Sequence, residues 1–152
     1  MPLAAGLPRD ELRRRYLEAW RKHRARLPLE PLEAEIAAVI ADHPEYIAWL
    51  ESGEDALMAE FTPEGGRENP FLHLSMHLAI RDQVATDRPA GIARLHRELA
   101  QRLGGAHAAE HAMIDPLAET LWEAQRGRKL PDEQAYRQRL ERLLHAGRRG
   151  RR

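Results

Sequence analysis

The residues with most chemical potential in this sequence are four histidines in two pairs. His73 and His77 stand four apart in the run Phe71-Leu72-His73-Leu74-Ser75-Met76-His77-Leu78-Ala79-Ile80. His107 and His111 stand four apart in His107-Ala108-Ala109-Glu110-His111. Side chains at i and i+4 share one helix face about one turn apart, so both rings of a pair can reach one ion. Neutral imidazole suits Zn, Fe, Ni or Cu, and helical bundles build metal sites from side chains on facing helices. Glu110 offers a carboxylate as ligand or as orienter of a ligating ring. Asp115 extends the same face, and further ligands are available from Glu60, Glu45 or His43. The set expected to hold metal is His73, His77, His107, His111 and Glu110, with Zn or non-haem Fe or Mn as the ion.

Two weaker patterns are set aside. His107-Ala108-Ala109-Glu110-His111 matches the H-x-x-E-H signature of inverted zinc proteases. Such enzymes need a further downstream carboxylate, and Pro116 interrupts the helix just beyond the motif. His23, His43, His96 and His145 read as surface or capping residues. No glycine-rich phosphate loop is present, and Ser75 lies inside an apolar helix with no nucleophile elbow around it.

The elements that must position these rings are helices. Leu12, Tyr16, Trp20, His23 and Leu27 form one helical stripe over Arg9 to Arg26. Leu32, Ile36, Val39 and Ile40 form another over Pro31 to Asp42, ended by His43-Pro44. Shorter helical pieces follow through Leu50 and from Asp55 to Phe61. Thr62 to Asn69 reads as a loop, with Asn69 as N-cap and Pro70 as first residue of the next helix. That helix, Pro70 to Val84, is apolar all round and is expected at the centre of the bundle. Asp87-Arg88-Pro89 restarts the chain into a helix carrying Ile92, Leu95, Leu99 and Leu103, and Gly104-Gly105 closes it. A helix from Ala106 to about Gln125 is expected to kink or split at Pro116. Its stripe takes in Ile114, Leu117, Leu121 and Trp122. The last helix runs from Pro131 to about His145. The fold expected is all-α: a bundle of about six helices, one domain over residues 9–145, and a basic disordered tail over 146–152.

The 152 residues contain no cysteine, which removes disulfides, thiolate ligands and cysteine nucleophiles together. No apolar run approaches the roughly 18 residues needed to span a bilayer. Met1 to Gly6 lacks a basic segment followed by an apolar one, so no secretory signal is read there. A cytoplasmic protein is the expectation. The net charge of +0 hides segregation: residues 9–26 carry 8 basic against 3 acidic, residues 126–152 carry 10 against 3, and residues 30–68 carry 1 against 11. Such asymmetry can mark nucleic-acid or partner contact, but the near-zero net charge favours basic and acidic segments that lie against one another in the fold or across a dimer. Nucleic acid is disfavoured by the zero net charge, although Arg148, Arg149, Arg151 and Arg152 leave that route open.

Read together, the blocks Asn69-Pro70-Phe71-Leu72-His73 with His77, Asp87-Arg88-Pro89-Ala90-Gly91-Ile92, His107 to His111, and Leu121-Trp122-Glu123-Ala124-Gln125-Arg126 resemble a family of small, chiefly proteobacterial proteins grouped under a domain of unknown function. The resemblance covers most of residues 10–145 and implies a bacterial origin, with no activity to carry over. Such proteins often have a histidine where this chain has Ile47, so the resemblance puts a ligand from that segment in doubt. Likeness to haemerythrin-like metal bundles rests on the histidine pairs alone and is analogy.

Two functions are therefore expected. One is a metal-binding helical protein of unidentified reaction, with the two histidine pairs facing each other inside walls of Phe71, Leu74, Ile80 and Ile114. The alternative is a non-catalytic interaction or adaptor domain that uses its basic ends and acidic middle.

Overall fold

The computed structural model describes residues 8–61 and 68–149. The signal-peptide reading at Met1 to Gly6, most of the loop expected from Thr62, and Arg151 and Arg152 of the tail lie outside the described residues. Among the described residues the fold is all-α, with eight helices and no strand: α1 Arg9–Arg24, α2 Pro31–Ala41, α3 Pro44–Leu50, α4 Glu54–Met58, α5 Pro70–Thr86, α6 Ile92–Leu103, α7 Ala106–Arg126 and α8 Glu133–Arg149. The count exceeds six because the two short pieces after His43-Pro44 and Gly53 are helices in their own right. The last helix continues to Arg149, beyond the His145 boundary expected from the sequence. No helix among the described residues is long and apolar enough to cross a membrane.

Local signals set most of the boundaries. Glu30 and Glu33 form a capping box around Pro31 at the start of α2. The Asn69 carboxamide oxygen accepts from the Phe71 and Leu72 amides at 3.0 and 3.4 Å, capping α5 as its position before Pro70 requires. The Asp87 carboxylate accepts from the backbone of Ala93 and Gly91 at 3.0 and 3.1 Å, so both donors hold its pKa below the usual value. At the end of α6, Gly104 takes a φ of 94°, a left-handed conformation open to glycine at no steric cost.

The chain divides into two compact units, Met1–Leu78 and Ala79–Arg152. Helix α5 runs through the boundary, which gives a physical use to its lack of a polar stripe. In the first unit, Phe71, Leu74 and Leu78 of α5 join Tyr16, Ala19, Trp20, Ile36, Ala37, Val39, Ile40, Leu50 and Ala56 in one buried cluster. Lys22 reaches Glu33 at 2.8 Å and ties α1 to α2. In the second unit, α6, α7 and α8 pack against one another and bury Leu95, Leu99, Met113, Leu117, Leu140 and Leu144.

Arg13, beside the predicted stripe of α1, is buried. Its Nη1 donates to the carbonyls of Leu57 and Ala59 at 3.0 and 2.6 Å, and its guanidinium lies 4.9 Å from the Phe71 ring centroid. These partners meet the cost of burying a cation, and burial and Arg9 lower its pKa. Pro116 does not split α7, which runs unbroken past it. The Thr120 hydroxyl donates to the Pro116 carbonyl at 2.8 Å, and the buried face Ala109, Met113, Leu117 and Ala124 continues on either side. That same face excludes the next two residues, so Trp122, expected in the core, is 55% exposed, with the Arg126 guanidinium 4.8 Å from its ring.

Leu74 is wholly buried, whereas Leu72 on the same helix is 60% exposed. Leu74→Ala is expected to destabilise the protein by about 2–5 kcal/mol, and Leu72→Ala by no more than about 0.5 kcal/mol. Chemical denaturation of both variants checks this; equal losses would contradict the assigned face of α5.

Candidate metal centre

The site grows from a turn of α5 and the junction of α2 with α3, all within the first unit. His73 and His77 are buried, as their apolar neighbours in sequence require. Their Nε2 atoms face one another at 3.2 Å and their ring centroids are 4.8 Å apart. The third ring comes from His43, read from the sequence as a surface or capping residue. It does hold the N-cap position of α3, but it is 1% exposed and turned into the first unit. Its centroid lies 4.5 Å from that of His77 and 5.2 Å from that of His73. The local signal at His43 was a helix junction; its burial depends on α5 arriving from some thirty residues downstream, which no local pattern shows.

The outer nitrogens of His43 and His73 are anchored. His43 Nδ1 lies 2.7 Å from the Val39 carbonyl oxygen, an acceptor only, so Nδ1 carries a proton. His73 Nδ1 lies 2.9 Å from a carboxylate oxygen of Glu68, so that nitrogen carries a proton too. One proton bridges the two facing Nε2 atoms. Tyr46 completes the surroundings. Its ring stacks on His43 at 5.7 Å and meets His73 edge-on at 5.9 Å, while its hydroxyl donates to Glu68 at 3.2 Å.

The remaining expected ligands lie in the second unit. His107 and His111 occupy exposed positions on α7. Glu110, between them, is buried, and both of its carboxylate oxygens accept from Arg81 Nε at 3.0 Å. That ion pair is the use of Glu110 seen here, and it fixes the second half of α5 to α7. Asp115 is exposed on α7, and Glu45 is exposed at the start of α3.

All three tyrosines have phenols that resist ionisation. Burial, followed by the charge and hydrogen bond of Glu68, pushes Tyr46 up to about 12. Burial raises Tyr16, whose hydroxyl bonds to Ser75, and also Tyr136, whose hydroxyl donates to Gln83 at 2.8 Å. A phenol whose pKa is raised on folding stabilises the fold fully below its unfolded value of about 10. That contribution is lost as the pH climbs from about 10 towards the folded values. Folded protein at about pH 11 should therefore show clearly less tyrosinate absorbance than unfolded protein at the same pH. Half-ionisation of the folded protein near about pH 10 would contradict these environments.

The comparison with known proteins adds a family and no chemistry. Neither a curated protein nor a solved structure matches the chain. A family model described as a domain of unknown function (DUF1841) matches residues 8–142, taking in α1 to α7, most of α8 and all three clustered histidines. The chain belongs to the DUF1841 family.

Proposed function

We propose that the protein binds a transition-metal ion, Zn or non-haem Fe or Mn, through His43, His73 and His77. The observation that carries this reading is the spacing of the three rings. An ion about 2.1 Å from a ring nitrogen lies about 3.2 Å from that ring's centroid. Two rings on one ion at angles of about 90–110° then have centroids about 4.5–5.2 Å apart. The three observed separations are 4.5, 4.8 and 5.2 Å. The 3.2 Å between the Nε2 atoms of His73 and His77 matches two ligands subtending about 100° at one ion.

The protonation pattern supports the same reading. Metal-bound histidines commonly donate their outer N–H to a carboxylate or a backbone carbonyl. Glu68 and the Val39 carbonyl stand in those two places. An ion would replace the single proton between His73 and His77. Three neutral imidazoles leave the full charge on the ion and one position open to water or substrate, an arrangement suited to activating a water molecule. With Fe or Mn the same ligands permit redox chemistry. The reading takes the protein as bacterial and cytoplasmic. His107, His111 and Glu110 remain candidates from the sequence and are not needed for the three-ring argument.

The second reading, a non-catalytic interaction domain, is favoured by one observation: Leu121, Trp122 and Leu130 are exposed apolar residues near the turn between α7 and α8.

Protein purified without an affinity tag should contain close to one metal ion per chain, or take one up from Zn, Fe or Mn with a rise in melting temperature, because a ligand of the folded state stabilises it. Loss of an outer partner of a ligating histidine alone costs about 10–100-fold in affinity, so His77→Ala should lose at least about 100-fold. Metal-free protein whose melting temperature ignores all three ions would overturn the metal reading and leave the interaction domain. The melting temperature of metal-free His77→Ala shows whether that variant is folded.

A further inference from the structure

Glu68 belongs to this neighbourhood, and its side chain reaches outward. Its carboxyl-bearing side chain is 65% exposed, yet it accepts from two groups that face inward: His73 Nδ1 at 2.9 Å and the Tyr46 hydroxyl at 3.2 Å. Glu68 stands next to the Asn69 cap, so α5's first turn sets its position one turn before His73. Tyr46 lies on α3, directly after the His43 junction, with its ring against both His43 and His73. The two hydrogen bonds thus close a chain from α3, through Tyr46 and Glu68, to the outer nitrogen of a candidate ligand on α5.

We infer that Glu68 is the positioning residue of this centre: held by Tyr46, it fixes the Nδ1–H tautomer of His73 and so sets how strongly the site holds metal. The inference rests on the metal reading for its consequence, but the tautomer is a property of the metal-free protein. Glu68 accepts from the proton on Nδ1, and a ring protonated at Nε2 must exchange that proton before it can bind an ion. A charged acceptor also makes the opposite nitrogen a better donor of its lone pair. An amide in place of the carboxylate keeps an acceptor oxygen and loses the charge. Tyr46 does not touch the outer nitrogen, so its hydroxyl acts on His73 only through Glu68.

The test uses the full-length, untagged chain with Zn2+ alone as probe, comparing wild type with Glu68→Gln, Glu68→Ala and Tyr46→Phe. Affinity is read by competition with a chromophoric chelator, and imidazole tautomers are read in metal-free protein from 15N shifts. Metal-free wild type should show His73 protonated at Nδ1, and Glu68→Ala should shift it towards Nε2. Zn2+ affinity should fall about 10–100-fold in Glu68→Gln, at least as far in Glu68→Ala, and less in Tyr46→Phe. Because Glu68 is exposed, melting temperatures of the metal-free variants should match wild type; a matched loss of stability and affinity would mark a structural role and overturn the inference. An unchanged tautomer, or wild-type affinity in both Glu68 variants, would overturn it as well. A wild-type chain that shows the tautomer but binds no Zn2+ overturns the metal reading while leaving Glu68 as the residue that sets His73.

Discussion

An imidazole buried in a helical core must have both ring nitrogens satisfied, since an unpaired buried polar group costs about 1–3 kcal/mol. That constraint governs the first unit of this protein. Three such rings are buried there, and they are brought together rather than dispersed. The outer nitrogens of His43 and His73 meet a backbone carbonyl and a carboxylate, and the Nε2 atoms of His73 and His77 face each other. The helix junction at His43-Pro44 and the cap at Asn69-Pro70 serve this arrangement directly. The first turns the His43 ring inward at the end of α2, and the second starts α5 where His73 and His77 fall on the face that meets it.

The second consequence concerns α5. A helix with apolar residues on every side needs partners on every side. Its first half supplies Phe71, Leu74 and Leu78 to the core of the first unit. Its second half is tied into the second unit by polar groups, Arg81 to Glu110 and Gln83 to Tyr136. One continuous helix therefore belongs to both units, and the histidine pair sits on its first half. Glu110, with the strongest claim of any carboxylate to be a ligand on sequence grounds, accepts from Arg81 in this connection.

What the sequence made legible follows from the range of each signal. Caps and breaks act within a few residues, so Asn69-Pro70, Asp87, and Gly104-Gly105 mark true helix ends. The i, i+4 spacing of His73 and His77 places two rings on one face without any tertiary information. His43 was named as a further ligand, but its burial was not legible, because a helix far along the chain decides it. The burial of Arg13 likewise depends on distant residues, the carbonyls of Leu57 and Ala59. Trp122 failed in the opposite direction. An aromatic side chain suggests burial, but the face of α7 that packs is fixed by Ala109, Met113, Leu117 and Ala124, and Trp122 lies off it.

If three imidazoles converge on one ion, X-ray absorption at the metal edge of the loaded, untagged protein counts them directly. Three histidine nitrogens are expected at about 2.0–2.1 Å with the outer-ring scattering of imidazole, reduced to two in His43→Ala. A first shell made mainly of oxygen, or a spectrum unchanged by removing His43, would contradict that convergence.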